Sequence, residues 1–245
     1  LAWDKERYPS PAKFGAWASQ KDLAITLDFN RCIATNTDGY DAAAFNIPQS
    51  GAMEFATAAP DFTNPKVRNW WWNVILTQGI KPLDKTLPVG LWIDEFDEMR
   101  PAPHDQKLSI GRSFAELRNY WFMLINQSLV ADGWDKSLGD KLRPFVWVRG
   151  NTAGGQRYST LWSGDIEPSF AEMKNQIRGM QAAGLSGFPF WGHDAGGFDA
   201  THVPDADFEL LYRQWGVAMG SFSPFWKPHG MGPSRWPLDR SPAAQ

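Results

Sequence analysis

Short apolar segments alternate along this chain with longer segments that carry helix signals, and this alternation limits the fold more than any other feature of the sequence. Such an order of elements is typical of a parallel α/β fold. We predict strands at Leu23–Leu27, Gly90–Asp94, Pro144–Arg149, Thr160–Gly164, Ser186–Trp191 and Ser221–Phe225.

Three of the intervening segments begin with a recognisable helix start. Asn64-Pro65 combines a capping residue with a proline at the first helical position, and the helix is predicted to run toward Gly79. Ser113–Glu116 is a capping box before an amphipathic stretch that reaches about Val130. Glu167-Pro168 is predicted to open a helix that ends near Gly184, where we expect a glycine C-cap.

Several predicted strands end in residues that can carry chemistry. These residues are Asp94, Arg149, Asp165 and the pair His193-Asp194. In a TIM barrel the active site is built from the carboxyl ends of many strands, whereas a doubly wound sheet uses one switch point. We therefore predict an α/β fold of the (β/α)8 TIM-barrel type, of which about six βα units are present.

Composition and motifs exclude several other classes. The formal net charge of −3 argues against a nucleic-acid binder, and no apolar run approaches the ~20 residues that cross a bilayer. One cysteine and four scattered histidines provide no metal site, and no glycine-rich phosphate loop stands at a strand-to-helix turn. We expect no metal, no cofactor and no membrane or nucleic-acid partner. The 14 tryptophans suit either sugar stacking or large aromatic cores.

Two aspartates are the candidate reacting groups. Asp94 ends an apolar strand, with Trp92 on the same side, and is followed by Glu95, Asp97 and Glu98; a solvated acidic loop is the alternative. Asp165 ends a later strand soon after Trp162, although an ordinary loop aspartate would look the same. Two carboxylates that face one another across a pocket are what glycoside hydrolysis requires.

An arginine accompanies these carboxylates. Arg149 ends a strand rich in valine and aromatic residues, where an unpaired charge would be expensive, so we expect it to have a carboxylate or ligand partner.

Five segments, in the expected order along the chain, resemble motifs of glycoside hydrolase family 31. Gly90–Asp94 is similar to the nucleophile motif, although Glu95–Glu98 departs from it. Val148–Asp165 resembles the acid/base motif without a gap, with Val148 in place of a serine. Phe190–Phe198 and Gly220–His229 look like the next two strand tips, with Lys227 in place of an arginine, and Trp3–Pro9 matches an earlier loop.

The resemblance implies a role for each matched position. Asp94 would be the nucleophile and Asp165 the general acid/base. Six residues would line the pocket that holds the non-reducing sugar: Trp92, Arg149, Trp162, Asp194, Phe198 and His229. A core histidine is the alternative for His229, and for His193 we favour a structural role.

The resemblance also predicts how the chain is organised. Residues 1–230 would be a catalytic barrel region with about strands 3 to 8, and residues 231–245 a C-terminal loop or tail. A β-sandwich, the first two strands and further β-domains would lie elsewhere in a longer chain. The predicted function is a retaining α-glycosidase that acts on terminal α-linked glucose-type sugars of an oligosaccharide or α-glycoside. An α-xylosidase, a transglycosylase and a non-catalytic carbohydrate-binding remnant are the alternatives.

Overall fold

The computed structural model describes residues 3–30, 47–48, 58–83, 88–94, 107–139, 142–220 and 222–240. These residues belong to two compact units, Leu1–Ser159 and Thr160–Gln245. Among the described residues, no helix is both long and apolar enough to cross a lipid bilayer. The acidic residues Glu95, Asp97 and Glu98 lie outside the described ranges.

The first unit contains most of the strands. Its elements are α1 Pro11–Gln20, β1 Ile25–Asn30, β2 Ile47–Pro48, β3 Ala58–Ala59, α2 Pro65–Val74, β4 Val89–Asp94, α3 Phe114–Leu129, α4 Asp135–Ser137 and β5 Phe145–Val148. π-helical segments continue α2 as Ile75–Ile80 and α3 as Val130–Trp134, and a 3-10 turn covers Gly155–Arg157.

The second unit has fewer strands and longer helices. Its elements are β6 Thr160–Trp162, α5 Phe170–Leu185, β7 Trp191–Gly192, α6 Asp205–Gly220 and a 3-10 turn at Pro237–Asp239. β6 and β7 are parallel, with Leu161 opposite Trp191, and α6 buries Leu211, Trp215 and Met219 against partly buried residues that include Met173 of α5.

A parallel sheet of β1, β4 and β5, with β4 in the middle, organises the first unit. Asp28 is opposite Trp92, and Trp92 is opposite Trp147. Since side chains alternate along a strand, these three positions share one face of the sheet. Ile93 and Val148 are on the other face, where they border one small cavity together with side chains of α3. The candidate site therefore lies on the opposite face, which carries Asp28, Trp92 and Trp147.

The predicted helix starts agree with the structure where the capping chemistry is strongest. The Asn64 side chain accepts from the Lys66 amide, and Ser113 and Glu116 form the complete capping box. The third helix begins later than predicted, because Ser169 and not Glu167 provides the cap, accepting from the Glu172 amide. It also continues past Gly184, so the prediction of a glycine C-cap there was wrong.

Two predicted strands differ most from the structure. Ser186–Trp191 was predicted as a strand, but only Trp191–Gly192 pairs, because the preceding helix extends to Leu185. Residues 222–225 form no strand. Pro224 lacks an amide donor, and the Ser223 hydroxyl bonds the backbone oxygens of Trp191 and Phe225. Pairing resumes at Lys227, which bridges to Asp194.

The remaining differences concern ends and omissions. The first strand lies two to three residues later than predicted and includes Asp28. Helices α1 and α6 were not predicted. α1 carried the same signal as α2, since Ser10 caps it and Pro11 occupies its first position.

Candidate active site

The first unit contributes a carboxylate and a buried arginine at the carboxyl ends of neighbouring strands. Asp94 is the last residue of β4, and Arg149 directly follows β5, where its amide bonds the Ile93 oxygen. Arg149 Nη1 lies 3.5 Å from Asp94 Oδ1, and the two side chains are 4% and 20% exposed. The partly open carboxylate is accessible to a ligand, and the adjacent guanidinium places a positive charge beside it.

Aromatic rings extend this face of the sheet beneath Asp94. The rings of Trp92 and Trp147 lie with their centroids 6.2 Å apart, and Phe145 packs edge-on against Trp147 at the same distance. Gly90 fits between these groups because it has no side chain: a Cβ there would lie 2.6 Å from Phe145 Cδ1. Sequence reasoning missed Trp147, although its position two residues before Arg149 would have placed it on the same face.

In the second unit, Asp165 follows the buried Trp162 at the end of β6. The intervening Gly164 has φ of 74°, a left-handed conformation that glycine adopts without strain, and it turns the chain at the end of the strand. Asp165 is exposed. An exposed carboxyl at a strand end is available to exchange protons with a bound molecule.

Asp194 and Lys227 form a buried ion pair close to this strand end. Lys227 Nζ lies 2.7 Å from Asp194 Oδ1 and 4.7 Å from the centroid of the Trp162 ring. Burial raises the pKa of Asp194 to about 6; Lys227 opposes this shift, whereas the charge of Asp165 adds to it. The structure therefore brings together Trp162, Asp165 and Asp194, and adds Lys227 to the predicted set.

Phe198 and His229 form a stacked pair. Their ring centroids are 5.4 Å apart and the planes differ by 30°. Burial, and then the charges of Lys227 and Arg235, lower the pKa of His229 to about 4. The imidazole is consequently neutral near pH 7, so it can both donate and accept a hydrogen bond.

His193 occupies a different environment from His229. It is fully buried, and its Nδ1 accepts a hydrogen bond of 2.9 Å from Trp215 Nε1 in α6. Burial lowers the pKa of His193 to about 4, with a smaller contribution from the charge of Lys227. These contacts give His193 a packing partner inside the unit.

The predicted site residues are thus divided between the units. Trp92, Asp94 and Arg149 lie together in the first unit, and Trp162, Asp165, Asp194, Phe198 and His229 lie in the second. Asp94, Arg149, Trp162, Asp165 and Asp194 stand at or just beyond the carboxyl ends of parallel strands, the edge at which barrel enzymes build their active sites.

Comparison with known protein families identifies the fold. The family model described as "Glycosyl hydrolases family 31 TIM-barrel domain" matches residues 1–243. The structure is similar to the glucosidase II alpha subunit (Tris-bound form), with a TM-score of 0.82 and 23% identity over 99% of this chain and 28% of that one. It is also similar to a GH31 alpha-xylosidase from Xanthomonas citri, with a TM-score of 0.83 and 21% identity over 98% of this chain and 28% of that one. The predicted TIM-barrel fold is confirmed.

The similar curated proteins are named as alpha-glucosidases or as an alpha-xylosidase. The chain is 33% identical to a probable glucan 1,3-alpha-glucosidase of Oryza sativa subsp. japonica, over 94% of this chain and 26% of that protein. It is 32% identical to neutral alpha-glucosidase AB of Sus scrofa, over 94% and 25%. An alpha-xylosidase of Emericella nidulans is 27% identical, over 96% and 30%. The chain therefore spans between a quarter and a third of the length of these relatives.

Proposed function

Because this chain belongs to glycoside hydrolase family 31, we propose that the protein is a retaining α-glycosidase that removes terminal α-linked glucose-type sugars. The observation that carries the proposal is the pairing of Asp94 with the buried Arg149 at the end of β4. A partly open carboxylate beside a buried positive charge has the properties of a nucleophile.

In the proposed mechanism the reaction has two displacements. Asp94 attacks the anomeric carbon while Asp165 donates a proton to the leaving oxygen, which gives a covalent glycosyl-enzyme and the free alcohol. Asp165, now ionised, takes a proton from water. That water attacks the anomeric carbon and releases Asp94, and the sugar leaves with its original α configuration.

The remaining residues would hold the sugar. Trp92 and Trp162 offer apolar faces to the ring, and Phe198 packs against His229, which we propose to bond a hydroxyl. Arg149 and Asp194 would bond further hydroxyls, and these bonds contribute to rate to the extent that they strengthen as the ring approaches the oxocarbenium state.

Replacing each aspartate and adding azide tests both roles at once. Asp165→Ala should lose most turnover of natural glycosides, whose leaving groups need an acid. With an activated aryl glycoside the glycosyl-enzyme still forms, and azide should restore turnover by attacking it, which yields the α-glycosyl azide. Asp94→Ala should form no glycosyl-enzyme, so any azide product should have the β configuration. Unchanged rates in both variants would refute the assignment, whereas sugar binding without turnover by the unsubstituted protein would favour a carbohydrate-binding remnant.

The alternative activity is α-xylosidase, which the names of one curated relative and one similar structure support. Xylose lacks the hydroxymethyl group at C5, so the two activities differ in the room beside that carbon. Comparing kcat/KM for p-nitrophenyl α-glucoside, α-xyloside and α-galactoside distinguishes them. Transglycosylation would appear as longer oligosaccharides at high substrate concentration.

A distance measurement provides an independent test. Retaining enzymes hold their two carboxyl groups about 5–5.5 Å apart, and inverting enzymes about 6.5–9.5 Å, because the latter need space for a water. We expect the shorter separation between Asp94 and Asp165 in a crystal structure of the protein at its full natural length.

A further inference from the structure

Arg235 is a buried guanidinium that donates hydrogen bonds to five backbone oxygens. It has five N–H donors, and the structure gives it five acceptors. Nε donates to Ala195 (3.1 Å), Nη1 to Met231 (3.0 Å) and Pro233 (3.3 Å), and Nη2 to Gly197 (2.6 Å) and Phe198 (3.1 Å). All five donors therefore bond the backbone of two segments, residues 195–198 and residues 231–233.

The planar group is also closely packed by a ring and by the backbone. The Phe208 ring lies 4.8 Å from Arg235 Cζ, and on the backbone at Gly230 a Cβ would lie 2.6 Å from the same atom. Such a site fits a flat fork of donors and does not fit an ammonium, which has three donors and no plane.

Three of the five acceptors belong to the loop that follows Asp194. In this loop Gly197 has φ of 85°, and a Cβ there would collide with the backbone of Pro168. The next residue, Phe198, donates its amide to the Ile166 oxygen at 2.7 Å. The loop that Arg235 holds is thus in direct contact with the segment that follows Asp165.

These contacts connect Arg235 to Asp165 through the backbone. Arg235 binds the oxygen of Phe198, the amide of Phe198 binds the oxygen of Ile166, and Ile166 is bonded covalently to Asp165. On its other side the exposed Asp165 is bonded to Gly164, which has φ of 74°. The position of its backbone therefore depends on the loop that Arg235 holds.

We propose that Arg235 is a positioning residue for Asp165, which it orients through the backbone of Gly197, Phe198 and Ile166. The inference rests on the proposed function, in which Asp165 is the general acid. Loss of the guanidinium should therefore impair proton donation more than the other parts of the reaction.

The test compares two substrates that differ in their need for an acid. Maltose has a sugar leaving group that must be protonated, whereas fluoride leaves α-glucosyl fluoride with much less help. In the protein at its full natural length, Arg235→Lys should lower kcat/KM for maltose by about 10- to 100-fold, the range expected for a displaced general acid. For α-glucosyl fluoride the loss should stay below about 3-fold.

Arg240 provides a matched control. It is another buried arginine beside the Phe208 ring, at 5.6 Å from the centroid, but it bonds Asp205 at the start of α6. Arg240→Lys should leave the ratio of the two kcat/KM values unchanged. Hydrogen exchange adds a readout that does not depend on activity, since the Phe198 amide should exchange faster in Arg235→Lys than in Arg240→Lys.

Equal losses on both substrates, together with unchanged exchange at Phe198, would overturn the inference. If thermal melting shows that Arg235→Lys does not fold, Phe208→Leu replaces it, because that variant keeps the guanidinium and removes the ring that lies against it. In Phe208→Leu the loss of kcat/KM should be smaller than in Arg235→Lys but still greater for maltose than for α-glucosyl fluoride. An equal loss on both substrates would overturn the inference. Asp165→Ala tests the premise separately: if it slows both substrates equally, the proposed acid role itself fails.

Discussion

The ammonium of Lys227 lies 2.7 Å from the carboxylate of Asp194, in a setting where 6% of the lysine side chain and none of the aspartate side chain is exposed. Taking two charges out of water is costly, and the pair is tolerated because each charge compensates the other. The Trp162 ring adds a favourable face for the cation. The pair therefore bears both on the stability of the second unit and on the arrangement of the candidate site.

We predict that Lys227→Met destabilises the protein by about 3–5 kcal/mol, because it leaves a buried charge without compensation. It should also raise the pKa of Asp194 further, since Lys227 now opposes the effect of burial. Urea unfolding at pH 7 measures the first effect. The control is Lys136→Met, which breaks a more exposed pair with Asp132 of 3.1 Å and should cost at most about 1 kcal/mol. Equal costs would contradict the prediction.

Acidification should weaken the fold between about pH 6 and pH 4. The pKa values of His193 and His229 fall from 6.5 to about 4 in the folded protein, so the unfolded chain binds more protons in this range and stability rises with pH. Asp194 acts in the opposite direction, because its pKa is raised from 3.8 to about 6 and its contribution is lost as pH rises. The two histidines change the slope of stability against pH more than the one aspartate does, so stability should fall as the pH falls.

His193→Gln should reduce this pH dependence. Removing one buried histidine takes about 1.4 kcal/mol per pH unit from the slope of the unfolding free energy near pH 5. Urea unfolding at several pH values between 4.5 and 6.5 measures it. The exposed His202, replaced in the same way, is the control. A slope that stays the same in His193→Gln would show that this residue titrates normally when folded.

Gly90→Ala should destabilise the sheet, whereas the same change at Gly184 should not. A Cβ at Gly90 would lie 2.6 Å from Phe145 Cδ1 and 3.0 Å from Thr26 Oγ1, and overpacking of this kind costs about 1–3 kcal/mol. Gly184 lies in α5 with nothing within 4 Å of its Cβ position, so alanine should add about 0.5–1 kcal/mol of stability there. Thermal melting compares the two. Phe145→Leu, combined with Gly90→Ala, should recover part of the loss.

Trp147→Leu should weaken catalysis through the loss of its contact with Trp92. Trp147 packs against Trp92, which neighbours Asp94 on the same face of the sheet. Its loss should let the Trp92 ring move and lower kcat/KM by about 10-fold, as expected when a positioned group shifts slightly. The control is Trp17→Leu, which removes a half-exposed ring that stacks on Phe14 in α1. If both variants lose the same activity, Trp147 has no special role.

The sequence predicted best those features that depend on neighbours along the chain. The helix starts at Asn64 and Ser113 were correct because a cap is a contact over three residues, and the apolar strand ending at Asp94 was correct because alternation is local. Motif resemblance also identified the family, since the matched residues stand in a fixed order. The Ser221–Phe225 strand failed because a proline and a serine hydroxyl removed its pairing.

The contacts that give the site its electrostatics depended on tertiary structure. Asp194 and Lys227 are 33 positions apart in sequence, and the acceptors of Arg235 lie on two loops, so no local pattern indicates these partners. The pKa values of His193 and His229 follow from burial, which is decided only when α6 and the loops after β6 and β7 pack together. Sequence thus determined which residues stand at the strand ends, and folding determined which charges they meet there, because packing alone fixes distances between remote segments.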